Sequence, residues 1–187
     1  MPSGWDLIWL RLSMRCCLDT KTQEIMFSSG KDSWETPDTL FKRYDDVYHF
    51  VLDAAADGVN HKCDLWFGPD SPVGVVDALV VEWLDYLKKG NIWLNPPYSR
   101  GLQKKFVEKA AHEKCELMFR NDPDPFSVLD VPSSLNSVVC LLPARTDTKL
   151  FHEIIKPYAS SVEFLKGRVK FVGAKAGAPF PSMVVVF

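Results

Sequence analysis

Residues Asn95, Pro96, Pro97 and Tyr98 stand together where a short apolar run, Ile92 to Leu94, stops. An asparagine amide and the Pro96 carbonyl offer two hydrogen-bond acceptors. The loop that carries them is stiff, because each proline fixes its own φ and Pro97 also restricts Pro96 before it. With the Tyr98 ring beside them, two fixed acceptors suit a planar group bearing an NH2, such as adenine with its exocyclic N6 amine. Taken alone, the tetrapeptide also reads as a turn between a strand and a helix.

The elements around it decide between these readings. An apolar run bounded by turn signals predicts a buried strand, and two prolines cannot continue a sheet ladder. In open α/β sheets, ligands sit outside the carboxyl ends of such strands. Downstream, residues 101–110 read as a helix with Leu102, Phe106 and Ala110 on one face and Lys104, Lys105 and Lys109 toward water. With Arg100, these cations suit an anionic partner, or they form an ordinary solvated face. Upstream, Thr36 reads as an N-cap with Pro37 at the first helical position, opening a helix through Leu40, Phe41 and Tyr44.

Residues 47–52 predict the first strand, which ends at Asp53-Ala54-Ala55-Ala56. Small residues there let a backbone turn approach a ligand, and Asp53 can accept from an ammonium or hydroxyl group, or cap the next element. A short second strand is expected within 60–67, then a loop over 68–72. Asp64 and Asp70 can accept from hydroxyl groups or be solvated acids, and His61 has no metal-ligand partner at suitable spacing. Further strands are expected at 137–142, 160–165 and 180–187, with Thr146 or Asp147 capping the helix between the first two. Arg145 follows the strand at 137–142, so it shares a rim with Asn95 and suits base or phosphate contact, while Arg168 reads equally as a surface ion pair.

Composition sets bounds. The 187 residues suit one domain that buries a sizeable core. A net charge of −2 argues against a nonspecific nucleic-acid coat but allows a local basic patch. Five cysteines without paired CxxC spacing argue against a disulfide framework or a zinc site, and suit a reducing cytoplasm. No apolar run approaches a membrane span.

The tetrapeptide Asn95-Pro96-Pro97-Tyr98 resembles the catalytic loop of amino-group methyltransferases. The order of segments resembles the phage-type DNA N6-adenine methyltransferases, the phage Dam family. The other matching stretches are Trp34-Glu35-Thr36-Pro37, Leu52-Asp53-Ala54-Ala55-Ala56, Leu142-Pro143-Ala144-Arg145-Thr146-Asp147-Thr148, Gly167-Arg168-Val169-Lys170-Phe171 and Ala178-Pro179-Phe180-Pro181-Ser182. The resemblance implies a Rossmann-like α/β fold dependent on S-adenosylmethionine, with a mixed sheet of about seven strands and an antiparallel end. It implies catalysis by Asn95, Pro96, Pro97 and Tyr98, with Tyr98 stacked on a flipped adenine of double-stranded DNA. It also implies cofactor contacts from Thr36, Pro37, Asp53, Ala54 and Asp77, DNA contacts from Arg100, Arg145 and Arg168, and no metal. Similar loops methylate amines of RNA and amides of proteins, and a decayed module that only binds cofactor or DNA is a further alternative. The resemblance begins near Met26, so residues 1–25 are expected to be an extension outside the fold, and 26–187 the methyltransferase domain. Residues 115–136 depart from the family and are expected to be an insertion.

Overall fold

A computed structural model describes residues 34–87, 90–121 and 137–187, with side chains for all of these except Arg100 and residues 115–121. The expected extension over residues 1–25 lies outside the described residues, as does most of the expected insertion.

Helix α1 (Asp38–Tyr48) starts one residue later than Thr36 would set it: Pro37 is the cap, with φ −63° and an extended ψ of 137°. The Pro37 carbonyl accepts from the N–H groups of Leu40 and Phe41, both at 3.0 Å. At the other end His49 turns left-handed with φ 53°, and Asp45 Oδ1 accepts from the Phe50 N–H at 2.8 Å. The expected strand at 47–52 is therefore corrected. Val47 and Tyr48 finish the helix, and strand β1 is Phe50–Asp53. Val47 is exposed, so no packing decides its state; the left-handed His49 and the Asp45 bond set the boundary, and Tyr48 stacks on Phe50 across it.

Strands β2 (Leu65–Trp66), β3 (Asn91–Leu94), β4 (Val138–Pro143), β5 (Ser161–Phe164) and β6 (Ser182–Val186) join β1 in one sheet, ordered β2-β1-β3-β4-β6-β5. The pairs among β1 to β4 are parallel, and β6 runs antiparallel to both β4 and β5. The antiparallel end expected of the last segments is thus present. Among the described residues the sheet has six strands rather than about seven. After β2, Gly68, Pro69, Pro72 and Gly74 impose turns where another strand would need continuous ladder donors. The chain reaches a 3-10 turn at Trp83–Tyr86 instead.

The sheet is covered on both faces. Along β3, Ile92 and Leu94 belong to one apolar cluster and Trp93 to the other. Along β4, Cys140 and Leu142 face one way, Val139 and Leu141 the other. Period-2 alternation between two buried faces is why these strands read as unbroken apolar runs. A bulge at Val51 shifts the β1–β3 register. It fits because the facing residue is Gly90, where a Cβ would lie 2.5 Å from the Val51 side chain.

Helix α2 (Arg100–Asn121) packs Leu102, Phe106 and Ala110 on the sheet as expected, and runs past 110 into the first part of the expected insertion. One expectation for its outer face is corrected: Lys109 is not free in water, because its Nζ lies 2.8 Å from both Glu82 Oε2 and Glu113 Oε1. After β4, Thr148 and not Thr146 or Asp147 caps the next helical segment, accepting from the Phe151 N–H at 3.3 Å and donating to the Arg145 carbonyl at 2.8 Å. That segment is a π-helical turn, Phe151–Ile155, leading into α3 (Lys156–Tyr158). Pro157 lacks an N–H and its ring crowds the carbonyl four residues back, which a widened turn accommodates. No described helix is long and apolar enough to cross a membrane. Cys63 and Cys140 are free and buried, and burial raises both thiol pKa values.

Candidate functional site

β1 connects outward to β2, whereas β3 returns to the other side of β1 and leads on to β4. The direction of connection reverses between β1 and β3, and in open α/β sheets that reversal opens a crevice at the carboxyl ends of the strands. Asp53 ends β1 and Asn95 follows β3 at that edge. A cavity of about 620 Å³, including its open mouth, lies there, and its wall includes Trp34, Thr36, Asp53, Asn95, Pro96 and Pro97.

The Asn95 amide is fixed in one orientation. Its Nδ2 donates to the Trp34 carbonyl and to Thr36 Oγ1, the latter at 3.0 Å. A carbonyl only accepts, so the group facing Trp34 has to be the NH2. Oδ1 is thereby turned away and accepts from the Tyr98 hydroxyl at 2.8 Å, keeping a second lone pair. Both amide hydrogens are used in holding the acceptor still.

Tyr98 sits behind this arrangement and outside the cavity wall. It is 6% exposed, its ring meets Phe171 and Phe180 edge-on, and its hydroxyl also lies 3.2 Å from the Leu141 carbonyl. Burial raises its pKa well above the ordinary tyrosine value. The wall includes two aromatic residues, the fully buried Trp93 and the partly exposed Trp34, which rests on the same two phenylalanines.

Asp53 is buried, and burial pushes its carboxyl up to about 6 against the opposing hydrogen bonds from the Ala55 and Lys62 N–H groups. Those bonds make it the brace of the loop after β1, since no helix follows for it to cap. Lys62 is also in the wall, its Nζ bonded to Asp38 Oδ1 at 2.6 Å and Glu35 Oε1 at 3.3 Å. Pro37 shapes the start of α1 without lining the cavity. Asp64 and Asp70 are exposed and absent from the wall, where Asp57 and Asn60 stand instead. His61 stacks on Trp66 at 4.0 Å, a packing role.

A second, apolar recess adjoins the first cavity through Ala55 and Pro97. Ala54, Val76 and Ala78 line it, and Asp77 lies between the last two in sequence. Asp77 is 4% exposed; its Oδ1 accepts from the Leu79 N–H, whereas Oδ2 is buried without a partner among the described residues. This loop is pinned from behind: Trp83 Nε1 donates to the Ala78 carbonyl at 2.7 Å, and Glu113 accepts from the Trp83 N–H at 2.9 Å. Glu82, His112 and Glu113 are close enough to share an ion, but the Lys109 ammonium already lies between the two carboxylates.

The family described as DNA N-6-adenine-methyltransferase (Dam) matches residues 23–120. The chain belongs to the Dam family. No curated protein matches it. The Dam match spans Thr36, Pro37, Asp53, Ala54, Asp77 and the Asn95–Tyr98 loop, and it stops before β4, so Arg145 and Arg168 lie outside it. Arg145 is exposed just after β4, and Arg168 is exposed between β5 and β6. The Arg100 side chain is outside the described residues. Reading the sequence gave no role to Trp34, Asp57, Asn60 or Lys62 in this Dam-family site. The Trp34 stretch was a usable signal, since it is among those resembling the phage enzymes, whereas nothing local marked the other three.

Proposed function

We propose that this Dam-family protein is a site-specific DNA methyltransferase of Rossmann-like fold, moving a methyl group from S-adenosylmethionine to adenine N6. The observation that carries the reading is the orientation of the Asn95 amide, which leaves one acceptor at the carboxyl end of β3 beside the cavity. The cavity fits the donor in chemistry. Its polar chamber, with Asp53, Asp57 and Lys62, suits a zwitterionic amino-acid end. The apolar recess, with the unpartnered Asp77 Oδ2 at its margin, suits a purine bearing an amine.

When bound, S-adenosylmethionine supplies an electrophilic methyl group on a sulfonium. Asn95 Oδ1 and the Pro96 carbonyl accept the two N6 hydrogens of an extruded adenine, directing the nitrogen lone pair toward the methyl. Thr36, the Trp34 carbonyl and the Tyr98 hydroxyl keep that acceptor from reorienting, so the contribution is positioning and electrostatics. Trp34 offers the ring surface for the base in the state seen; stacking on Tyr98 would require Phe171 and Phe180 to move away. Thr36 and Asp53 hold the amino-acid end of the donor, while Arg100, Arg145 and Arg168 meet the DNA.

The test is to supply labelled donor with duplex DNA, RNA or protein, then digest the product and identify the modified unit by mass. N6-methyladenine from DNA at a defined sequence is expected. Label in RNA or protein alone, or donor binding without any product, overturns the proposal.

A further inference from the structure

β5 is parallel to β4, because each is antiparallel to β6. The connection from β5 to β6, residues 165–181, therefore lies on the edge of the sheet where Asp53 and Asn95 emerge. In a chain of net charge −2, this stretch holds Lys166, Arg168, Lys170 and Lys175 and no Asp or Glu. All four cations are exposed, and none forms an ion pair among the described residues.

The loop has a dry side and a charged side. Arg168 and Lys170 point to solvent while Phe171, 2% exposed, packs against Trp34 and Tyr98. The chain then doubles back, with the Ala178 N–H donating to the Val169 carbonyl at 2.8 Å. The return needs Gly177, where a Cβ would lie 2.8 Å from the Arg168 Cβ. Near the tip, the Val172 N–H donates to the Glu35 carbonyl at 3.0 Å, next to the Thr36 that holds Asn95. The same ribbon thus braces the aromatic wall of the cavity and shows cations outward.

We propose that residues 165–181 form the surface that grips the phosphate backbone of duplex DNA beside the cavity, an inference that rests on the methyl-transfer reading above. Phosphate contacts carry register and affinity without sequence information. Gripping there would set the strand alongside Trp34 and Asn95 while the target base leaves the stack.

The experiment compares the full chain with the variant Lys166→Gln/Arg168→Gln/Lys170→Gln/Lys175→Gln, and with a control, Lys42→Gln/Lys156→Gln, at exposed lysines outside the loop. Affinity for a mixed-sequence DNA duplex is measured across salt concentrations, with donor binding by calorimetry and thermal unfolding alongside. The loop variant is expected to bind at least about tenfold more weakly, with a slope of log K against log salt shallower by about 3 to 4 if all four cations meet phosphates. Donor binding and melting temperature should stay at parental values. The single variant Lys175→Gln, at the tip, should show about one quarter of the slope change and serves if the multiple variant folds poorly. Parental slope and affinity in the loop variants, or an equal loss in the control, overturns this inference and leaves the methyl-transfer reading standing. Tighter binding of duplex RNA than DNA overturns the choice of partner. A parental chain that neither binds nor methylates DNA overturns both.

Discussion

Asn95 Nδ2 donates to Thr36 Oγ1 at 3.0 Å, joining the residue after β3 to one ahead of α1 across 59 positions of sequence. Thr36→Val keeps the shape and removes the acceptor, leaving an amide hydrogen unpaired where Thr36 is only 2% exposed. That costs about 1–3 kcal/mol. Single-turnover methyl transfer should slow by about tenfold or more, while Thr36→Ser stays near the parental rate. Equal rates for valine and serine variants would show that the bond does not position Asn95.

Removing the acceptor itself goes further. Asn95→Ala should lower the chemical step by about a hundredfold or more, with donor affinity by calorimetry little changed. Asn95→Asp tests the orientation, because a carboxylate oxygen would then face the Trp34 carbonyl, acceptor against acceptor. The folded state should hold that carboxyl above its unfolded value of about 3.9. It then binds more proton than the unfolded chain, so stability relative to the parent falls as pH rises above about 4. Urea unfolding at pH 4 and pH 8 checks this; a constant difference from the parent would contradict the amide orientation.

Tyr98 separates bracing from packing. Tyr98→Phe keeps the ring against Phe171 and Phe180 and removes the hydroxyl bonded to Asn95 Oδ1. Turnover should fall several-fold, matching a loss of about 1 kcal/mol, with little change in unfolding midpoint. Tyr98→Ala empties a buried site and should destabilise the fold by about 3–5 kcal/mol. A Tyr98→Ala protein of parental stability would mean that the ring is not packed as seen.

Asp53 predicts a pH dependence. Its carboxyl is pushed up to about 6 mainly by burial, so it is ionised above that pH and neutral below. Binding of the cationic donor, followed by calorimetry, should strengthen as pH rises through about 6, and Asp53→Asn should bind weakly with no inflection there. For the unliganded protein the sign is opposite. A raised folded pKa means that Asp53 contributes less stability as pH climbs from its ordinary value of 3.8 to about 6. An unchanged affinity profile in Asp53→Asn would remove the contact.

Glu113 ties α2 to the loop that carries Asp77. It is fully buried, accepts from the Trp83 N–H, and holds Lys109 at 2.8 Å. Glu113→Ala leaves the buried Trp83 N–H unpaired and Lys109 held by Glu82 alone, and should cost about 1–3 kcal/mol in urea unfolding. Glu113→Gln keeps one acceptor and should cost less. Similar stabilities for the two would place the effect in charge alone.

Much of the frame was legible because it is local. Pro96 and Pro97 must stop a strand whatever surrounds them, and Ile92 to Leu94 and residues 137–142 read as strands from their apolar runs. The segments that resemble the phage enzymes marked out Asn95, Asp53 and Thr36 without any coordinates. Tertiary structure decided which partner each side chain meets. A run of residues cannot show that Thr36, readable as a helix cap, would spend its hydroxyl on Asn95, or that Tyr98 would be sealed behind it by Phe171 and Phe180. Nor could it show Lys109 locked between Glu82 and Glu113, since that depends on how α2 lies against the turn at Trp83–Tyr86. Local sequence sets backbone preferences over a few residues, whereas a hydrogen bond spanning 59 positions exists only once the sheet has fixed its strand order.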